Sequence, residues 1–354
     1  MRPAEAVPTP VVGVEFGDKC FLSDAASCLV YCEALRFDVL ARLSLDVDER
    51  IMRFRSPVLI ALAAMLAAAA PPSHSQQSGT VPPAAATDTV EQRIFYSTSL
   101  QREMPYEVVL PVGYAAGRQH YSVLYLLHGW QGDETDWVNR THLTELAARY
   151  QLIVVTPQAG NSWYVNSATN PTDRYADYVL DDVIEDVDSH YRVTADPQHR
   201  AIAGLSMGGY GALLFALRQP VLFGFAASIS GAFSGPSGIE EVMAQLKPSI
   251  DQAYGSSGSA TRKENDLDSL IAAADPRTIP YLFIECGTAD PLLPSNRHVV
   301  AELSEYKLQY EYHELPGNHT WSFWDNSLSP MLTELARQLH LSPAAFAVRA
   351  SSSH

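Results

Sequence analysis

Cysteine is scarce in this chain. Only four of its 354 residues are Cys, and Cys20, Cys28 and Cys32 all fall near the start. No second Cys or His pair stands beside Cys28 and Cys32, so a zinc-type cluster is excluded. The remaining one, Cys286, lies inside an apolar strand-like run and reads as a buried structural thiol. Positive charge is also in short supply. Lys and Arg number 24 against 40 Asp and Glu, a formal net charge of −16. Nucleic acid and anionic membrane surfaces are therefore poor partners. No internal repeat is present, which removes solenoid and array architectures. No uninterrupted apolar run reaches the roughly 20 residues of a comfortable transmembrane helix, so the mature chain is not expected to insert stably in a membrane. What is abundant is hydrophobic material, 47% of residues, ample for one large α/β domain with a sizeable core.

The first ninety residues have a different character. From Met52 the chain reads Met-Arg-Phe-Arg, then Ser56-Pro57, then the apolar stretch Val58 to Leu66 and an alanine run to Ala70. A basic start, a short apolar centre and small residues after it make a secretory signal peptide at 52–75, with cleavage after Ala70 or Ser75. Export to a secreted or periplasmic location is the expectation. Such a signal works at an N-terminus, so residues 1–51 read as an upstream extension outside the native protein. Residues 76–91, rich in Pro, Ser, Gln, Ala and Thr, read as a flexible lead-in.

From 92 to 340 strands and helices alternate. Gln92 to Leu110 holds two strand-like stretches separated by Gln101-Arg102-Glu103, an antiparallel pair at one sheet edge. Strands follow at Tyr121 to Leu127, Leu152 to Val155, Arg200 to Ala203, Phe225 to Ile229, Tyr281 to Glu285 and Tyr310 to Leu315. Helices are expected at Leu143 to Tyr150, Tyr175 to Tyr191, Tyr210 to Leu217, His298 to Tyr306 and near Met331 to Leu339. This alternation predicts an α/β fold with a mostly parallel central sheet and helices on both faces. At 232–280 the pattern breaks, as expected of a small cap insertion, and 341–354 reads as a C-terminal tail.

Gly204-Leu205-Ser206-Met207-Gly208 has the spacing of a nucleophile elbow, a sharp turn between a strand and a helix. Its glycines answer a steric requirement, because the strained turn leaves no room for bulky neighbours. A serine hydroxyl is a weak nucleophile and needs a base within reach. His319 lies in the loop Gly317-Asn318-His319-Thr320, between a strand and the last helix, whereas His190, His199 and His313 have ordinary surface or capping contexts. Asp290 follows another strand and is the acid expected to orient the imidazole, with Asp325 the weaker candidate. The order Ser206, Asp290, His319 is that of α/β-hydrolases. Donors for a developing oxyanion are expected from the amide of Met207 and from Gly129 or Trp130 in the loop after Leu127. Trp163, Tyr164, Trp321 and Trp324 are expected to border the substrate, while Asp136-Trp137 reads as structural.

His128-Gly129, Gly204 to Ala212, Cys286-Gly287-Thr288-Ala289-Asp290 and Gly317-Asn318-His319-Thr320-Trp321 occur in this order. Together they resemble the esterase D family of α/β-hydrolases, which includes tributyrin-type, feruloyl and acetylxylan esterases, S-formylglutathione hydrolases and the antigen 85 mycolyltransferases. The resemblance spans residues 92–340. It implies a serine carboxylesterase with Ser206, Asp290 and His319 as its triad, no metal and no cofactor. It further implies small-molecule or polysaccharide-linked esters as substrates, of short-chain acyl or plant-wall feruloyl and acetyl type. An acyltransferase of the same family, or a catalytically silent carbohydrate-binding protein on a hydrolase scaffold, are the competing readings. N-terminal sequencing of the exported protein should give a first residue after Ala70 or Ser75. Recovery of any peptide from residues 1–51 overturns the assigned start.

Overall fold

Short apolar runs bounded by turn residues become fully buried strands in the computed structural model, which describes residues 90–235, 238 and 244–341. The segments 1–51, 52–75, nearly all of the lead-in 76–91 and residues 342–354 of the tail lie outside the described residues, as do 236–237 and 239–243 within 232–280. The strands are β1 Val90–Ser97, β2 Arg102–Val109, β3 Val123–Leu127, β4 Ile153–Pro157, β5 Arg200–Leu205, β6 Phe225–Ile229, β7 Tyr281–Gly287 and β8 Tyr310–Leu315. They form one open sheet in the order β1-β2-β4-β3-β5-β6-β7-β8. The edge pair β1–β2 and the β2–β4 pair are antiparallel, and from β4 to β8 every pairing is parallel.

Successive side chains of a strand point to opposite faces, and here both faces are covered. Val123, Tyr125 and Leu127 of β3 enter one hydrophobic cluster, while Leu124 and Leu126 enter the other. The first cluster contains the helix Met207–Arg218; the second contains Leu328, Met331, Leu332 and Leu335 of the helix Trp321–Gln338. This is the doubly covered, mostly parallel arrangement of an α/β-hydrolase.

Some boundaries differ from expectation. The β1–β2 turn falls at 98–101, with Gln101 at φ 54°, so Arg102 and Glu103 already belong to the strand. The expected helix Tyr175 to Tyr191 is interrupted by a π-helical stretch, Tyr178–Val183, leading into Ile184–His190. The last helix begins ten residues before Met331 and carries Pro330 inside it. The irregular region 232–280 contains the helices Lys247–Tyr254, Ala260–Glu264 and Leu267–Ala273. No helix among the described residues is long and apolar enough to cross a membrane.

Tight backbone packing fixes the turn between β5 and the next helix. A Cβ on Gly204 would lie 2.4 Å from the carbonyl carbon of Gly208. One on Gly208 would lie 2.5 Å from the carbonyl oxygens of Leu127 and His128. Both obstacles are main chain, which cannot swing aside as a long side chain does. Gly208→Ala should therefore lower unfolding stability by about 3 kcal/mol, measured by urea denaturation. A loss below about 0.5 kcal/mol, the range of neutral surface changes, would mean that this packing does not govern the turn.

Candidate active site

Parallel strands put the loops that follow them on one rim, and three of those loops meet here. Ser206 follows β5 in a strained conformation, φ 53° and ψ −116°, outside the regions that non-glycine residues ordinarily occupy. Main-chain bonds hold it there. Its amide donates to the Ile229 carbonyl at 3.0 Å, and its carbonyl accepts from Tyr210 and Ala232, each at 3.0 Å. His319 enters from the loop after β8 and Asp290 from the loop after β7. Amide bonds from Thr288 to the Leu315 carbonyl and from Ala289 to the Gly317 carbonyl, both 2.8 Å, tie those two loops together. Gly287 allows the approach, since a Cβ there would stand 2.6 Å from the Gly317 oxygen.

The structure thus brings three distant side chains into one chain of contacts. His319 Nε2 is 3.0 Å from Ser206 Oγ, and its Nδ1 is 2.9 Å from Asp290 Oδ2. Asp290 is buried, and its other oxygen accepts from the Leu292 amide at 2.9 Å. Burial pushes its pKa up, but the hydrogen bond from His319, the imidazole's charge and the Leu292 amide outweigh burial and hold it below the usual carboxylate range. Asp325 lies elsewhere: it accepts from the amide and Nδ1 of His142, each at 2.8 Å. His190, His199 and His313 contact Asp186, Asp196 and Glu311 respectively.

A cavity of about 220 Å³ opens at Ser206 and His319. Trp130, Trp321 and Trp324 form aromatic walls, Leu205 and Leu246 add apolar ones, and Asp136 and Arg140 line it too. Trp321 therefore lines the cavity at Ser206 and His319, the place expected of it. Trp163 and Tyr164 do not, which corrects the expectation for both. Each has a φ of 57° and is buried. The Trp163 indole packs on Tyr210 and Tyr254, and the Tyr164 hydroxyl donates to the His128 carbonyl at 2.9 Å. The amides of Gly129, Trp130 and Met207 make no hydrogen bond among the described residues. Gly129 sits against the nucleophile turn, its missing Cβ 3.4 Å from Ser206 Cβ.

Several contacts behind the site were not foreseen in the sequence, although His128 and Trp324 themselves were. His128 is fully buried; burial holds its pKa down, so the neutral ring donates from Nδ1 to the Gly129 carbonyl at 2.7 Å and accepts the Ala159 amide at Nε2, 2.9 Å. It thereby shapes the loop that carries Gly129 and Trp130. Trp324 stands edge-on to His319 with ring centroids 5.0 Å apart, and its indole N–H donates to Ser230 Oγ at 3.3 Å. Ser230 follows β6 at φ 51°, a fourth strand end on the same rim, and that position was the available signal. Among the described residues no cluster of His, Cys, Asp or Glu is placed to hold a metal ion.

The Esterase family model matches residues 97–335, more than half of the chain. An acetyl esterase of Caldicellulosiruptor saccharolyticus is 28% identical over 254 residues, covering 66% of this chain and 93% of its own. A fluorophosphonate-binding serine hydrolase F of Staphylococcus aureus superposes with a TM-score of 0.62 at 27% identity, covering 70% of this chain and 97% of its own. A ferulic acid esterase gives 0.60 at 28%, covering 70% and 98%.

Cys286 ends the run of side chains leading to Asp290. It is free and buried, and burial, with the nearby Asp290 charge, pushes its thiol up to about 12. Thiolate is the reactive form. Iodoacetamide at neutral pH should leave the Cys286 peptide unmodified in folded protein and label it fully after unfolding. Rapid labelling of the native state, read by mass spectrometry, contradicts this environment.

Proposed function

The chain belongs to the Esterase family and is a carboxylic-ester hydrolase; on that premise we propose that Ser206, His319 and Asp290 perform the hydrolysis through an acyl-enzyme. The observation that carries the proposal is the position of one imidazole, within hydrogen-bond reach of Ser206 Oγ on one side and of Asp290 on the other. His319 Nε2 takes the hydroxyl proton as Ser206 Oγ attacks the ester carbonyl. The negative oxygen of the tetrahedral intermediate is met by the Met207 amide and by that of Gly129 or Trp130. Imidazolium then returns the proton to the departing alcohol, and the acyl group stays on Ser206. Water, deprotonated by the same nitrogen, releases the acid and restores the serine. Asp290 keeps a proton on Nδ1, so the lone pair of Nε2 faces the hydroxyl.

The cavity supports a compact acyl group. Its aromatic walls suit an acetyl or other short chain and also the ring of a feruloyl group. The acetyl esterase and ferulic acid esterase among the similar proteins support that range of substrates, as does export of the protein, the location proposed from the segment at 52–75.

A panel of p-nitrophenyl esters of rising chain length, run beside methyl ferulate and acetylated xylan, tests the reading. Ser206→Ala should lose activity by several orders of magnitude with a nearly unchanged melting temperature. Asp290→Asn should cost on the order of 10⁴-fold, while Asp325→Asn stays near wild type. Retained activity in Ser206→Ala moves the nucleophile elsewhere; severe loss in Asp325→Asn alone reassigns the acid.

A further inference from the structure

We propose that a second, polar cavity on the same rim is a subsite for a neutral sugar unit of the substrate's alcohol portion, an inference that rests on the esterase reading. The cavity has a volume of about 270 Å³ and is lined by Arg102, Asn161, Ser162, Asp173, Tyr175 and Gln252 among others. Its charges are paired with each other. Arg102 donates to Asp173 Oδ1 at 3.4 Å and to the Tyr175 hydroxyl at 2.6 Å, and its guanidinium lies 5.5 Å from the Tyr175 ring centroid. No formal charge is left over for an ionic ligand. What is left over is hydrogen-bonding capacity: the Asn161 side-chain N–H groups, the Ser162 hydroxyl proton and the Gln252 amide have no partner among the described residues. Mixed donors and acceptors around an aromatic ring and a neutral pair match a polyhydroxylated, uncharged ligand.

The cavity is joined to the reactive site by its walls. Gln131 lines the cavity at Ser206, and its amide donates to Asn161 Oδ1, on the second cavity, at 2.7 Å. The helix Lys247–Tyr254 supplies Gln252 and Ala253 to the second cavity, and the residues just before it, Gln245 and Leu246, line the first. Arg102 opens β2, which runs antiparallel to β4, so it lies at the rim where β4 and β5 end. Three strand spacings separate β2 from β5. At about 4.8 Å each, the strand that carries Arg102 stands on the order of 14 Å from the one that leads to Ser206. A compact acyl group held at Ser206 does not span that distance, and a long acyl chain gains nothing from a polar pocket. An oligosaccharide carrying the ester spans it along its own length.

Two measurements on the full chain decide the matter. With acetylated xylo-oligosaccharides of two and four units, the wild type should gain about tenfold in kcat/KM with length, measured relative to p-nitrophenyl acetate. Gln252→Trp, which fills the pocket, and Gln252→Ala, which removes its amide, should both abolish that gain. Independently of turnover, unesterified xylotetraose should shift amide resonances of Ser206→Ala protein, and Gln252→Trp in that background should remove the shifts. Length-independent kcat/KM, a gain that survives both Gln252 variants, or no binding of xylotetraose overturns the subsite. Binding that Gln252→Trp abolishes supports it even where no ester is turned over, an outcome that tells against the esterase reading alone.

Discussion

One imidazole has to serve two neighbours at once, and much of the surrounding structure follows from that demand. The ring of His319 is useful only if its plane points Nδ1 at Asp290 while Nε2 stays 3.0 Å from Ser206 Oγ. A free histidine side chain samples several rotamers, so its orientation has to be imposed. Trp324 stands perpendicular to the ring and is itself held by Ser230. Asp290 holds the other end, and it remains ionised despite burial because His319 and the Leu292 amide offset the lost hydration. The loops bearing Asp290 and His319 are bonded to each other before either reaches Ser206. Their approach in turn depends on Gly287, where a side chain would push them apart.

Much of this was legible because each reacting residue obeys a local rule. Gly204 and Gly208 mark a turn with no space for a Cβ, and the structure shows main chain where those atoms would be. Asp290 and His319 each follow a strand, and parallel strands end on a common rim. Chain order preferred Asp290 to Asp325, and the geometry agrees: Asp325 sits on the last helix facing His142, with no contact to His319. The strands Phe225–Ile229 and Tyr310–Leu315 begin and end at the residues expected of them. The family expected from the four motifs is the family whose model matches.

Of the four aromatic residues expected at the site, Trp163 and Tyr164 were misplaced, and the reason is physical. A Trp or Tyr in a loop after a strand looks like a binding-site wall, but its burial depends on the path of the backbone rather than on its neighbours in sequence. At Trp163 and Tyr164 two consecutive left-handed residues turn both rings inward. Neither is a glycine, so nothing in the sequence announced the turn. Trp321 and Trp324 stay at the cavity because a helix already under way at Trp321 places them one turn apart. That start was hidden by Pro330. Proline commonly ends or kinks a helix, so the apolar period is easier to read on its far side, whereas the helix runs through it.

The two cavities differ in their walls, and on the proposed reading this sets what each can discriminate. Around Ser206 the apolar part of the wall is three tryptophans and two leucines, beside Gln131, Asp136, Arg140 and Gln245. Such a surface gains about 0.8 kcal/mol per buried methylene, so neighbouring acyl groups differ by small factors until one no longer fits. Around Asn161 and Gln252 the walls are polar. A hydrogen-bonded site penalises an analogue that leaves its groups unpaired far more heavily than an apolar site penalises a missing methyl. With the proposed subsite, an ester hydrolase built this way would tolerate a range of compact acyl groups and be selective for the alcohol to which they are attached. The selective surface can stand several strands from the nucleophile because the scissile bond lies between the two parts of the substrate. Binding energy gathered along the alcohol would then serve to hold the ester carbonyl against Ser206, the proposed nucleophile, where orientation lowers the barrier.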